Sequence, residues 1–355
     1  MLSLLRYFIP KTNPSKPTAK RKILILAPMI GIGDLVWVKP WIDAAADQHD
    51  VVLMTKPSSH AHITMQEHIN KNNQKKNMEL HPLYRSMRGQ KGKHDGISGI
   101  FRLARDIIKI KPDEVWIFHR SWRYAAAAWL ARVKKRIGFG LGRQQWFLTE
   151  PSPIPDHMEG IHPRKAVASI LNPQGICPKD THPRLKANAE QIALAKATLP
   201  ANTPTLIMGV GCSTADRRWS PKHFADVINW LHQSYPNYHI ALCGGPDEQD
   251  IGEQVLKHVE SKPDQVQLIF DQPLGVVVGI LQLSALYIGN DTSLINIAAA
   301  VGTRCVRIYA SSLPILSSEY ITSLWPADKS RISVWGSIDD ITPNDVIDAV
   351  KPLLN

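Results

Sequence analysis

The chain has 355 residues and a net charge of +11, and 44% of its residues are hydrophobic, the composition of a soluble globular protein. This length suits two domains that each bury a core, and no apolar run approaches the roughly 18 residues that a membrane-spanning helix needs. The charge is uneven, since residues 1–180 hold 29 Lys and Arg against 14 Asp and Glu, whereas residues 181–355 hold 13 against 17. The first half is therefore predicted to meet an anionic partner.

The chain begins with an apolar and aromatic patch that a basic, proline-containing stretch follows. We expect residues 1–20 to form a flexible basic leader, with a weak membrane-surface anchor as the alternative. The order of these features is not that of a secretory signal peptide. The cysteines lie far apart without a Cys-x-x-Cys pair and are predicted to be reduced thiols of a cytosolic protein: Cys177, Cys212, Cys243 and Cys305.

Strand-like and helix-like segments alternate through the first half. A buried strand is predicted over 22–27, and the turn Gly31-Ile32-Gly33-Asp34 leads from it into a helix. A second strand is predicted over 51–54, and the polar residues 66–95 are interpreted as a long loop or a mobile excursion. Order is predicted to return with a helix over 97–110, a strand over 114–118, the helix "SWRYAAAAWLARV" and the segment "KRIGFG".

The second half repeats this alternation after two breaks. Residues 148–162 are rich in proline, and the second break, 172–185, is the candidate linker between domains. A helix over 189–199 is followed by predicted strands over 205–210, 239–244, 266–270, 285–289 and 304–309, and a final helix begins near Pro343. The pattern predicts an α/β fold in which two doubly wound parallel sheets, in domains 21–180 and 181–355, face a central cleft.

A polar turn follows the first predicted strand, where an open α/β sheet places its ligands. The turn does not match Gly-x-Gly-x-x-Gly, because Val36 stands at the last glycine position, so a dinucleotide site is only weakly indicated. Asp34 is either a helix cap or a general base. A carboxylate that helix amides hold has a lowered pKa, which would make it a poorer base.

Three further polar turns follow predicted strands of the second half. "GVGCSTADRRWSPKHF" (209–224) places hydroxyls and Arg217 where phosphate oxygens would bind, or forms a solvated loop. In "LCGGPDEQD" (242–250), Asp247 either holds ribose hydroxyls or starts the next helix. In "GNDTSLIN" (289–296), Asp291 is interpreted first as a helix cap, although the adjacent free amides would also suit a phosphate.

Together, the four turns predict a nucleotide bound mainly by the second domain and an anionic co-substrate on the first. The sequence has no His-Glu-x-x-His motif, no His/Cys cluster with metal-ligand spacing and no Gly-x-Ser-x-Gly elbow, so neither a metal nor another cofactor is predicted. Charge alone permits a nucleic-acid partner, but the sequence contains no recognised nucleic-acid-binding module. No nucleic-acid partner is therefore predicted.

The same segments resemble a known family. "GIGDLVWVKPWIDAA", "RRWSPKHFADVINWL", "LCGGPDEQD" and "GNDTSLINIAAAVGT" occur in the order found in glycosyltransferase family 9, the lipopolysaccharide heptosyltransferases of Gram-negative bacteria. "KKRIGFG" also fits the first-domain pattern, and the resemblance runs from about Lys22 to about Tyr309. It implies the GT-B architecture of two Rossmann-like domains and inverting sugar transfer without a metal, at the cytoplasmic face of the inner membrane.

The resemblance also implies roles for individual residues. Asp34 matches the base that takes the acceptor proton, and Arg217 matches a cation that neutralises the donor diphosphate. The other candidate donor-binding residues are Gly211, Ser213, Thr214, Gly245, Asp247, Asp291, Thr292, Ser293 and Asn296, and the candidate acceptor-binding residues are Gly33, Arg120 and Arg123. The expected partners are a nucleotide-sugar, an anionic lipopolysaccharide acceptor and the anionic membrane surface.

The sequence departs from the family pattern at several positions. Ser293 replaces the usual Gly, Asn296 replaces the usual His, and a histidine of the diphosphate loop is absent near 209–211. Ser293 and Asn296 can donate hydrogen bonds to a diphosphate, but neither carries positive charge. A heptose from ADP-heptose is the expected donor. The alternatives are a related transferase that uses another nucleotide-sugar, a GT-B epimerase and a non-catalytic nucleotide-sugar-binding protein.

Overall fold

Two parallel sheets, each covered by helices on both faces, make up the protein in the computed structural model. The structure describes residues 20–28, 31–69, 77–86, 91–150, 154, 162–212, 214–309, 318–326 and 338–354. The predicted α/β class with two parallel-sheet domains is confirmed.

The first sheet has five strands in the order β3-β2-β1-β4-β5. Its elements are β1 (Lys22–Ala27), α1 (Ile32–Gln48), β2 (Asp50–Thr55), α2 (Ala61–Thr64), β3 (Met78–Pro82), α3 (Gly96–Ile110), β4 (Glu114–Ile117), α4 (Trp122–Leu130), β5 (Lys135–Gly138) and α5 (Pro163–Leu171). The central strand β1 is apolar because both of its faces are buried. Ile23 and Ile25 pack towards α1 and α5, and Leu24 and Leu26 pack towards α3 and α4.

The second sheet has six strands in the order β11-β10-β9-β6-β7-β8. Its elements are α6 (Ala189–Thr198), β6 (Thr205–Gly209), α7 (Pro221–Ser234), β7 (His239–Cys243), α8 (Gln249–Leu256), β8 (Val266–Ile269), α9 (Leu274–Leu283), β9 (Leu286–Asn290), α10 (Ser293–Ala300), β10 (Arg304–Ile308), β11 (Ile321–Leu324) and α11 (Pro343–Leu354). In each sheet the strand order changes direction beside the strand that comes first in the chain. That strand is β1 in the first sheet and β6 in the second. Crevices open at the carboxyl ends of the strands at such points.

The two sheets meet through α1, which packs against α10 of the second domain. Val36 of α1 is fully buried in the apolar cluster that covers one face of the second sheet. A polar contact adds to this interface, since the Gln66 side-chain amide donates to the Lys186 carbonyl at 2.6 Å. The carboxyl ends of β1, β6 and β9 therefore face one another across a cleft.

The structure corrects the interpretation of residues 66–95. This stretch contains β3, which pairs in parallel with β2 at the sheet edge. Its polar residues, such as Glu79 and His81, are tolerated because an edge strand is partly exposed to water. The strand β11 was also not predicted, and it likewise lies at a sheet edge. Sheet edges have weak apolar patterns, which explains both omissions.

The predictions for the leader, the domain limits, the cysteines and membrane-spanning helices have different outcomes. Residues 1–19 of the leader lie outside the described residues, and the domain limits at 180 and 181 stay a prediction. Cys212, Cys243 and Cys305 are buried free thiols, whereas Cys177 is exposed. No helix within the described ranges is long and apolar enough to cross a bilayer.

Asn290 joins the loop after β6 to the end of β9. Its buried side-chain amide donates to the carbonyl oxygens of Val210 at 2.9 Å and Gly211 at 3.3 Å. Its side-chain oxygen accepts a hydrogen bond from the backbone N–H of Trp219 at 3.0 Å. A single side chain thus satisfies three backbone groups and sets the path of the loop that leads into α7.

Asn290→Ala would leave these buried backbone groups without their partner. We expect it to lower the free energy of unfolding by about 2 to 4 kcal/mol, as measured by urea denaturation. The matched control is Asn237→Ala, since Asn237 is exposed, and it is expected to change stability by less than about 0.5 kcal/mol. Equal stabilities of the two variants would contradict this account of the loop.

Candidate functional site

A cavity of about 800 Å³ lies between the carboxyl ends of the two sheets. Residues predicted from the sequence line it from both domains: Gly33, Asp34, Gly211, Arg217, Gly245, Asp291, Thr292, Ser293 and Asn296. The cavity also contains residues that the sequence analysis did not select, among them Trp37, His60, His162, Glu248 and Arg307. Side chains far apart in the chain thus share one concave site, although their roles stay predictions.

Other predicted residues lie elsewhere. Thr214 and Asp247 are exposed and do not belong to the cavity lining. Arg120 and Arg123 are exposed on the first domain, and Arg120 borders a separate concavity of about 280 Å³ together with His119 and Arg143. Ser213 lies outside the described residues.

The N-termini of α1 and α10 both open into the cavity. Gly31 occupies the N-cap position of α1 and has no side chain that could cap the helix. Thr292 occupies the N-cap position of α10, and its side chain makes no capping hydrogen bond. The first-turn amides and the helix dipoles give this region a partial positive charge that favours anions. Gly33 permits the close approach, because a Cβ there would lie 2.5 Å from the side-chain nitrogen of Asn296.

Asp291 is held by two arginines rather than serving as the cap of α10, so the cap interpretation is wrong. Arg217 donates to one carboxylate oxygen at 2.8 Å, and Arg307 donates to the other at 3.3 Å. Arg307 projects from β10, and only 2% of its surface is exposed. Buried charges require partners, and here two cations share one carboxylate, so this ion triad carries a net positive charge.

Asp34 lies in the first turn of α1, on the opposite wall of the cavity. Burial raises the pKa of its carboxyl above the ordinary value of 3.8, a hydrogen bond with the Gly31 backbone lowers it, the charge of Asp291 raises it and that of Lys56 lowers it. The lowered pKa that is usual for a carboxylate held by helix amides is not found here, because loss of hydration outweighs the hydrogen bond with the amide.

Glu248 approaches the loop after β6 from the turn after β7. Its carboxylate accepts a hydrogen bond from the Gly245 N–H at 2.8 Å. A Cβ on Gly211 would overlap this carboxylate, so Gly211 allows Glu248 to reach the cavity. The acidic group of this turn that lines the cavity is therefore Glu248, whereas Asp247 is exposed and does not line it.

Trp37 and His162 form part of the first-domain wall. Their rings meet edge to face, with centroids 6.3 Å apart. Burial lowers the pKa of His162, and the cations Arg164 and Arg307 lower it further. The imidazole of His162 is therefore neutral at neutral pH. The positive charge in this part of the cavity comes from the arginines rather than from His162.

The sequence contained a signal for Arg307. In "RCVRIY" a charged residue stands within an otherwise apolar strand, and a buried cation needs a partner or a function. Glu248 adjoins the Asp247 that we selected, so local sequence could not separate the two carboxylates. His162 is the last residue of the proline-rich segment and has no periodic pattern around it.

One group of potential metal ligands is present among the described residues, although the sequence analysis predicted no metal. Atoms of Asp43, Glu67 and His68 lie within 4.8 Å of one another. The ammonium of fully buried Lys39 donates to the carboxylates of both Asp43, at 2.7 Å, and Glu67. The lysine thus already provides a cation for this group, and the group lies outside the cavity lining.

Comparison with known proteins places these features in one family. The model of glycosyltransferase family 9 (heptosyltransferase) matches residues 100–335, more than half of the chain. Lipopolysaccharide heptosyltransferase 2 of Salmonella typhimurium is 20% identical over 278 residues, which cover 72% of this chain and 79% of that protein.

Solved structures share the architecture. The ADP-heptose lipopolysaccharide heptosyltransferase II of E. coli has a TM-score of 0.71 at 16% identity, over 94% of this chain and 98% of that one. A family 9 glycosyltransferase from Veillonella parvula has a TM-score of 0.74 at 19% identity, over 94% and 97% of the two chains. These similarities support the expected GT-B fold.

The raised pKa of Asp34 means that its ionised carboxylate destabilises the folded protein at neutral pH. Asp34→Asn is therefore expected to raise the thermal unfolding midpoint at neutral pH. The difference should vanish as the pH falls towards 3.8, because wild-type Asp34 becomes protonated across that window. Asp47→Asn, at an exposed position of the same helix, should show no such difference. A lower midpoint for Asp34→Asn at neutral pH would contradict the assignment.

Proposed function

Because the chain belongs to glycosyltransferase family 9 and is thus a glycosyltransferase, we propose that it transfers a heptose from ADP-heptose to the inner core of a lipopolysaccharide. We place this reaction at the cytoplasmic face of the inner membrane. The observation that carries the proposal is the cavity between the domains, which has the half-buried carboxylate of Asp34 on one wall and paired arginines on the other. ADP-heptose is the donor named for the E. coli relative, and lipopolysaccharide is the acceptor named for the Salmonella one.

The ion triad is the proposed binding site for the donor diphosphate. Arg217, Arg307 and Asp291 together carry a net positive charge, and the α10 amides lie beside them. Ser293 and Asn296 add hydrogen-bond donors, and Arg307 supplies the charge that Asn296 lacks. Since the leaving diphosphate gains negative charge in the transition state, cations already in place lower the barrier.

Asp34 is the proposed general base. It takes the proton of the acceptor hydroxyl while that oxygen bonds to the anomeric carbon and the bond from this carbon to the diphosphate breaks. One displacement of this kind inverts the anomeric configuration. The raised pKa makes Asp34 a stronger base than an exposed aspartate.

The remaining contacts follow from the same arrangement. Glu248 is placed to accept hydrogen bonds from the ribose hydroxyls, a role that the sequence analysis gave to Asp247.

The first domain, with Gly33, Arg120 and Arg123, is the proposed acceptor side. Arg120 and Arg143 border the smaller concavity and suit the phosphates and acidic sugars of a lipopolysaccharide core. Because the arginines provide the charge that a divalent cation supplies elsewhere, we propose that transfer needs no metal.

Asp34→Asn is expected to lower kcat for heptose transfer by about 10² to 10⁴, because the general base is lost. ADP affinity should stay within about twofold by isothermal titration calorimetry, because Asp34 lies across the cavity from the triad. Transfer is measured with ADP-heptose and a heptose-deficient lipopolysaccharide, and UDP- and GDP-sugars serve as competing donors.

The control Asp47→Asn should match the wild type in both assays. Retained turnover in Asp34→Asn would remove the base assignment. Conversion of the donor to an epimer without any acceptor would favour the epimerase instead, and nucleotide-sugar binding without turnover in the wild type would favour a non-catalytic protein.

Arg307→Met is expected to weaken ADP binding about tenfold to a hundredfold, since hydrogen bonds to charged groups contribute about 1.5 to 3 kcal/mol. AMP binding should weaken much less, because AMP lacks the second phosphate. Arg304→Met is the matched control, since Arg304 is the exposed first residue of the same strand. Equal losses for ADP and AMP would show that Arg307 acts on the fold rather than on the diphosphate.

A further inference from the structure

An exposed apolar stripe runs along α3 on the outer face of the first domain. Ile97, Phe101 and Ile108 are 73%, 60% and 55% exposed, and their spacing places them on one side of the helix. The adjoining side of α3 packs on the sheet through residues such as Leu103 and Ile107. The apolar arc of the helix is therefore wider than the part that the sheet covers, and this stripe is its uncovered edge.

Cations border this stripe. Arg102, Arg105 and Lys109 are exposed on the same helix. Residues 91–147 hold 13 Lys and Arg but only four Asp and Glu. Three of these four acids are neutralised or hidden, since Asp95 pairs with Arg85, Asp106 pairs with Lys93 and Glu114 is buried. The surface around the apolar stripe is therefore strongly positive.

Aromatic residues continue the exposed surface. The helix α4 packs beside α3, and the 3-10 turn 142–147 packs on α4. Trp129 of α4 is 52% exposed, and Trp146 of the turn is 72% exposed. We call the exposed side chains of α3, α4 and this turn the basic–apolar face.

We propose that the basic–apolar face docks on an anionic lipid bilayer. Apolar side chains that enter the headgroup boundary, flanked by Lys and Arg, are the pattern of interfacial helices, and Trp favours that boundary. Each cation near an anionic surface strengthens binding. A second copy of this chain is a poorer occupant, because it would bring like charges together.

The position of this face suits the proposed reaction, on which its biological purpose rests. The helix α4 begins at the carboxyl end of β4, which neighbours the carboxyl end of β1, where α1 opens into the cavity. The N-terminal ends of α3 and α4, with Ile97 at the start of α3, therefore lie at the sheet edge that borders the cleft. Docking there would bring the cleft to an acceptor that is itself anchored in the bilayer.

The test is sedimentation of the full chain with vesicles of phosphatidylethanolamine and phosphatidylglycerol, and with phosphatidylcholine vesicles for comparison. Wild type should bind the anionic vesicles, less tightly at high salt. We expect Ile97→Ser/Phe101→Ser/Ile108→Ser and, separately, Arg102→Gln/Arg105→Gln/Lys109→Gln to weaken the apparent partition coefficient by at least about tenfold. Replacing both arginines by Lys should restore the binding.

Matched controls come from the second domain. Leu194→Ser/Leu283→Ser removes comparably exposed apolar groups, and Lys196→Gln/Lys222→Gln/Lys257→Gln removes three exposed charges. Both controls should bind as the wild type does. Unchanged binding of the α3 variants, equal losses in the controls, equal binding to neutral vesicles, or a change of oligomeric state without vesicle binding would each overturn the proposal.

This test separates the membrane proposal from the proposed function. Vesicle binding requires no sugar, so a protein that binds vesicles but transfers no heptose would overturn only the function. Conversely, the α3 variants should keep wild-type transfer to a delipidated, water-soluble acceptor and lose transfer to the same acceptor in vesicles. Loss of transfer to both acceptors would show that α3 acts on the catalytic site rather than on the membrane.

Discussion

The rest of the site depends on the carboxylate of Asp291, which binds two guanidinium groups. Arg217 comes from the loop after β6, Asp291 from the end of β9 and Arg307 from β10. The triad therefore joins three neighbouring segments at the carboxyl edge of the second sheet. Because it holds one more cation than anion, it fixes the structure while leaving positive charge for a ligand.

The charge of Asp291 also affects the pKa of Asp34 on the other wall of the cavity. Asp34 lies in the same cavity, where burial and the negative charge of Asp291 raise its pKa. Such a carboxylate reduces the stability of the folded state, a loss that is common for groups with shifted pKa values in functional clefts. The two N-termini of α1 and α10 meet here because Gly33 lets the helices approach. The proposed donor and acceptor sides thus lie close together.

Much of this arrangement follows from sequence, but not all of it. The apolar run of 22–27 and the Gly-Asp turn after it predict a buried central strand and a polar edge, as the structure confirms. The edge strand β3 was missed because it is short, contains Glu79 and His81 and is only partly buried. The raised pKa of Asp34 could not be predicted, because its burial and the nearby charge of Asp291 depend on tertiary contacts that no local pattern reveals. Arg307 was missed because its partner lies on another strand, although a charge in an apolar strand was visible.

The most direct test of this account is transfer from ADP-heptose by chelator-treated protein, with NMR of the anomeric configuration in the product. The account predicts an undiminished rate and an inverted configuration, because Arg217 and Arg307 supply the charge that stabilises the leaving diphosphate. Retention of configuration, or a rate that returns only when a metal ion is added, would contradict it.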